Sequence, residues 1–170
     1  MEIAKLNNTI DLWINALPGY SLEMLQQKME DGSWSIGQVY LHIIGDTNYY
    51  IEQIEGCLAN NENTTGEMKP FARELFARDG FPDERIKGNP ANDLIPQPTS
   101  KEILVNEMVA IKEKLDRLWE QLKTSAHSGK TKHPGLGYFS AQDWFLFCEI
   151  HMRHHLRQKA RIDSELFAKA

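Results

Sequence analysis

The sequence predicts an all-α fold, a four-helix bundle with a long insertion between its second and third helices. Three observations carry this reading. Apolar residues recur at gaps of three and four, which lays a stripe along one face of a helix and nowhere on a strand. Two of the periodic stretches open on a serine with a polar partner three residues later, a helix-start signature. Strand-like alternation is lacking, and five of the seven prolines fall between Gly66 and Pro98.

The first helix carries Ile3, Leu6, Ile10, Trp13 and Leu17 on its stripe and ends before Pro18-Gly19. A short segment around Leu22 to Leu25 follows. The second helix starts at Ser35, with Gln38 completing a capping box. Its stripe runs Ile36, Val39, Ile43, Tyr50, Ile54 and Leu58, and it finishes in the polar stretch Asn60 to Thr65. The insertion, Gly66 to Pro98, is too rich in proline for one helix, although Pro70 can start a short one through Arg78. Its length suggests a cover over one end of the bundle, outside the core. The third helix follows Ser100 with Leu104, Met108, Ile111, Leu115, Leu118 and Leu122 inward. The fourth opens on Ser140 and Asp143, and its inward positions are Trp144, Cys148, His151, His155, Gln158 and Ile162. Its stripe turns polar halfway.

Composition narrows the function. A chain of 170 residues with 41% apolar residues suits one domain, residues 1–170, with a core of its own. Nineteen basic against 24 acidic residues leave a formal charge of -5, so nothing draws the surface toward nucleic acid. No apolar run approaches the roughly 18 residues of a membrane span, and the start of the chain does not read as a secretory signal. Two cysteines, Cys57 and Cys148, make no disulfide framework. The expected location is the cytoplasm.

The chemistry gathers at the histidines. His151 and His155 stand four residues apart, about 40° around a helix, so both rings can reach one point. Burying two ionisable rings in a core stripe is costly without a partner, and no carboxylate falls on that face of the helix. A metal ion supplies the partner. His42 lies on the inward side of the second helix and is the candidate third ligand, since bundles build metal sites from facing helices. Imidazole nitrogens suit zinc, nickel, copper and iron(II). His154 is about 60° from His151 and could replace His155, so spacing leaves the choice open; the stripe favours His155.

Other polar residues have plainer readings. Met152 stands where a zinc protease would carry its glutamate, and Glu149 points to nearly the opposite side of the helix. His133 reads as fixing a glycine-rich turn, His127 as solvated, and Cys148 as a packed thiol. Asp46, one turn beyond His42, is a candidate to accept the second N–H of that ring. Arg153, Arg157 and Arg161 form an outer stripe, solvated or open to an anion. Trp34, Tyr49, Tyr50 and Trp144 are core candidates, any of which could wall a pocket.

Taken together, several motifs resemble the DinB superfamily. Trp34-Ser35 with His42 seven residues after the serine is similar to that family's second-helix signature. His133-Pro134-Gly135-Leu136-Gly137 resembles the turn before its last helix, and His151-x-x-x-His155-x-x-Gln158 completes the pattern. The resemblance implies a four-helix bundle with a mononuclear metal on His42, His151 and His155. Zinc or nickel is the expected ion, with iron or manganese after them. It also implies kinship with transferases in which a small thiol becomes a nucleophile at the metal. Expected partners are therefore a small-molecule thiol and an electrophilic substrate, with a homodimer as the expected assembly. The readings from other classes are a metal-dependent hydrolase and a non-catalytic metal- or ligand-binding stress protein. No catalytic side chain is assigned.

Overall fold

The computed structural model describes residues 3–83 and 94–168. Four long helices form the bundle: α1 (Ile3–Ala16), α3 (Ile36–Ala59), α5 (Lys101–Thr124) and α6 (Ala141–Leu166). α3 packs along α6 and α5, and α1 along the same two, so the helices close a ring around one core. Two short helices, α2 (Leu22–Gln26) and α4 (Pro70–Ala77), lie in the connections. α4 starts at Pro70, as the sequence suggests, and the short segment around Leu22 to Leu25 forms a helical turn. Among the described residues, no helix is long and apolar enough to cross a membrane.

The helix starts obey their local chemistry. Ser35 accepts from the backbone N–H of Gln38, whose side chain accepts in turn from the backbone of Ser35. Ser140 and Asp143 repeat the arrangement at the head of α6, and Ser100 caps α5. These reciprocal bonds satisfy donors that a helix leaves open, and they fix the register at which each stripe begins. Leu6, Ile10 and Trp13 of α1, Ile43 and Ile54 of α3, Met108 and Leu115 of α5, and Trp144 and Ile162 of α6 are buried. Tyr40 keeps its hydroxyl satisfied there by donating to the carbonyl of Trp13 at 2.7 Å.

Two features depart from the sequence reading. A β-hairpin joins α5 to α6, β1 (Lys130–His133) pairing antiparallel with β2 (Gly137–Ser140). Each strand has four residues and β1 carries no large apolar side chain, so no period-two signal exists to be read. Gly137 turns the chain at a φ of 93°, and the carbonyl of Glu67 would lie 2.5 Å from any Cβ there. Only glycine fits that approach.

The second departure concerns the insertion. Its middle, residues 84–93, lies outside the described residues. The described ends are not outside the core: Ala72 and Leu75 of α4 are buried, and Met68 bridges to Gly137 of β2. At the far end, the carbonyl of Ile95 accepts from the Gln38 side chain at 2.6 Å, and Gln97 accepts from the Ser35 hydroxyl at 2.8 Å. This stretch therefore buttresses the head of α3.

Candidate metal centre

The capping box sets the register of α3, and two turns into that helix His42 faces α6. Across the interface, α6 offers His151 and His155 from consecutive turns of its buried face. All three residues are buried, with one ligand atom of each ring lying within 4.8 Å of the others. The Nε2 atoms of His151 and His155 are 3.2 Å apart. The ring of His42 meets His155 at 4.7 Å and His151 at 5.1 Å between centroids.

Burial holds these rings neutral. His42 is pushed below its ordinary pKa by desolvation, although the Asp46 carboxylate pulls the other way. His151 is driven well below by burial and then by the neighbouring histidines. His155 is lowered to about 3 by burial and by His42. At neutral pH each ring therefore keeps a nitrogen lone pair, as metal ligation requires. Gln158 decides where one of them points. Its carbonyl oxygen stands 2.7 Å from Nδ1 of His155, so Nδ1 carries the proton and Nε2 is left bare toward His151. Among the described residues, His151 has no such helper, since its Nδ1 is buried without a partner there.

Aromatic rings enclose the cluster. Trp34 lies over His42 at 5.0 Å, Phe147 stacks on His151 at 6.1 Å, and Tyr50 meets the edge of His151 at 5.7 Å. Trp34 is only partly buried and marks the solvent side of the site. Tyr49 and Trp144 pack against Tyr50.

The remaining residues separate cleanly. His154 turns away toward Phe81 and the Arg157 guanidinium and lies outside the cluster formed by the other three rings. His133 fixes its turn by accepting from the Gly135 N–H at 3.1 Å, yet it is half-buried and stacked on Trp144, and burial lowers its pKa to about 4. His127 is exposed beside Asn61. Cys148 is fully buried, and burial pushes its thiol up to about 12, so it packs as a protonated side chain. Arg153 is not free for an anion, because it holds the buried carboxylate of Glu149 at 2.8 Å.

Asp46 stands differently from the expectation. Its Oδ2 lies 3.6 Å from Nε2 of His42 and 3.5 Å from Nε2 of His151, and Tyr50 donates to the same oxygen at 3.3 Å. It brings a carboxylate to a face that α6 alone leaves without one. Burial raises its pKa, against the opposing pull of His42 and Tyr50.

The family model of the DinB superfamily matches residues 5–158, a span that contains all three clustered histidines and ends on Gln158. The chain belongs to the DinB superfamily. No curated protein and no solved structure matches it. For this DinB chain the fit of residues to an ion rests on its own geometry: three uncharged nitrogen donors converge in a buried place, an arrangement suited to a divalent metal ion.

The sequence picks out Gln158 and Asp46 by their spacing from His155 and His42 but does not show the contacts they make here. Gln158 follows His155 by three residues, the helical spacing at which its carbonyl can reach Nδ1, and that spacing is its only signal. Asp46 follows His42 by four, but its approach to His151 depends on how α3 docks against α6.

Proposed function

We propose that this chain is a metal-dependent enzyme that holds one divalent ion, zinc or nickel foremost, on His42, His151 and His155 and transfers a small thiol to an electrophile. The supporting observation is the convergence of three buried neutral imidazoles on one point. An ion held there supplies Lewis acidity that lowers the pKa of a thiol below about 8.5 and so yields a nucleophile at neutral pH.

The chain's own residues do the rest. Gln158 keeps the His155 lone pair aimed inward, and Trp34, Tyr50 and Phe147 exclude water around the rings. The protein thiol nearest in sequence, Cys148, is buried and protonated, so the attacking sulfur comes from a small molecule. In the transfer the thiol loses its proton and its sulfur bonds to the electrophilic carbon. A chloride leaves, or an epoxide C–O bond opens and its oxygen takes up a proton. Membership in the superfamily supports the reading through the thiol-dependent members that the motifs resemble. The proposal includes a homodimer in the cytoplasm, a reducing setting that suits two buried free thiols.

The test incubates metal-loaded protein with a chlorinated or epoxide electrophile, with and without several small thiols, beside a His151→Ala control. Thiol-dependent product that vanishes in the control is expected. Product formed without thiol supports a hydrolase, and no turnover with any thiol favours a binding protein.

A further inference from the structure

The position of Asp46 adds to the proposed centre. Its Oδ2 is 3.5 Å and 3.6 Å from the Nε2 atoms of His151 and His42, too far for good hydrogen bonds to either. Around a tetrahedral ion with bonds of about 2.0–2.1 Å, neighbouring ligand atoms are roughly 3.3–3.4 Å apart. The two measured separations are close to such an edge. A carboxylate that only accepted from a bound water would stand about one hydrogen-bond length, ~2.8 Å, further out.

The donor chemistry agrees. An ionised carboxylate oxygen and a neutral ring nitrogen are both acceptors, and several acceptors facing one another repel unless a cation lies between them. Three neutral ligands would also leave a divalent ion with its full charge in a buried place, where an uncompensated charge is costly. Tyr50, buried on the next turn of α3, donates to the same oxygen and holds the carboxylate toward the rings.

The geometry points to Asp46 as a fourth ligand of the ion, through Oδ2, alongside the three histidines. This inference rests on the metal-centre reading above. It makes the donor set three nitrogens and one anionic oxygen, leaves a net single positive charge on the centre, and reserves an added fifth position for the thiol. Such a centre differs from a three-histidine site in selecting an ion that accepts expansion from four to five ligands.

The experiment loads the whole chain with cobalt(II) and records its visible ligand-field bands, together with affinity measured against a competing chelator. Wild type is compared with Asp46→Ala, Asp46→Asn and Tyr50→Phe, with helical content checked by circular dichroism. The expected result is a change in band energy and intensity in Asp46→Ala, with affinity lower by about 100-fold or more, at or beyond the upper end of the 10–100-fold typical of groups that only orient a ligand. Asp46→Asn preserves the shape and decides the matter should the alanine variant fail to fold: a neutral oxygen must bind the ion more weakly. Tyr50→Phe should shift the affinity far less. Spectra of both Asp46 variants that superimpose on wild type, with affinities within threefold, overturn ligation by Asp46 and leave the histidine site standing. Wild-type protein that takes up no cobalt, zinc or nickel overturns the metal-centre reading itself, and this inference with it.

Discussion

His42, His151 and His155 are buried rings held together with their lone pairs free, and each should therefore be needed for metal content. Single alanine substitutions at these positions are expected to abolish stoichiometric zinc or nickel by elemental analysis. His154→Ala, His127→Ala and His133→Ala should retain it, and loss in His154→Ala with full retention in His155→Ala would reverse the assignment. Gln158→Leu removes the acceptor that fixes the His155 tautomer and should weaken metal binding by about 10–100-fold, with Gln158→Glu restoring most of it. Protons act on the same residues. The folded-state pKa values of the three rings and of His133 lie below the unfolded value of about 6.5, so the unfolded chain binds more protons as the solution is acidified. Their contribution is full above that pH and is lost as pH falls toward about 4 for His133 and about 3 for His155. Urea midpoints of metal-free protein should accordingly drop between pH 7 and pH 4, less steeply in His133→Gln. An unchanged midpoint would show that the rings are more solvated than their burial implies.

At the scale of single elements, the long helices are legible because their information is local. Ser35 with Gln38 and Ser140 with Asp143 announce α3 and α6, and the stripes behind them say which faces go inward. The histidine pair on α6 is legible for the same reason, since four residues on a helix are one turn. The β-hairpin is not, because its strands are held by neighbours distant in sequence: Thr131 accepts from the Trp144 indole at 2.7 Å, and Gly137 packs on Glu67 and Met68. Asp46 is legible beside His42, one turn away, but its approach to His151 is illegible in the same way as the hairpin. Two substitutions measure these local devices. Ser35→Ala should cost about 1 kcal/mol, a fall of roughly 2–4 °C in Tm by calorimetry, by leaving the N-terminus of α3 uncapped. Gly137→Ala should cost more, since a positive φ adds strain of about 1–3 kcal/mol to the contact with the Glu67 carbonyl. A neutral result there would mean that the hairpin can shift away from α4.

Across the whole molecule, one buried charge ties elements that the sequence leaves unrelated. Glu149 is fully buried, accepts from Thr9 of α1 and from Arg153 on its own helix, and lies 3.3 Å from Lys5. Arg153 and Lys5 also reach Asp79, just beyond α4. The outward-pointing Glu149 of the helical wheel thus faces α1. Removing one partner should be worse than removing both. Arg153→Leu leaves the buried carboxylate with Thr9 and Lys5 alone and should cost about 1–3 kcal/mol in chemical denaturation, whereas the double change Glu149→Leu with Arg153→Leu should recover much of it. Additive losses would argue that Lys5 alone suffices to hold the carboxylate.

The separation of His42 from the other two rings governs when the centre can exist. His151 lies 109 positions after His42 (151 − 42), so the ribosome releases the second and third rings long after the first. A partly made chain offers His42 alone, and until α6 has docked the later pair is only two neighbouring imidazoles of one helix turn, a weak chelate open to water. The convergence of the three rings is therefore a property of the finished tertiary structure, in which α3 and α6 have docked. Metal uptake followed during refolding should lag behind helix formation and coincide with burial of Trp144 in the closed core.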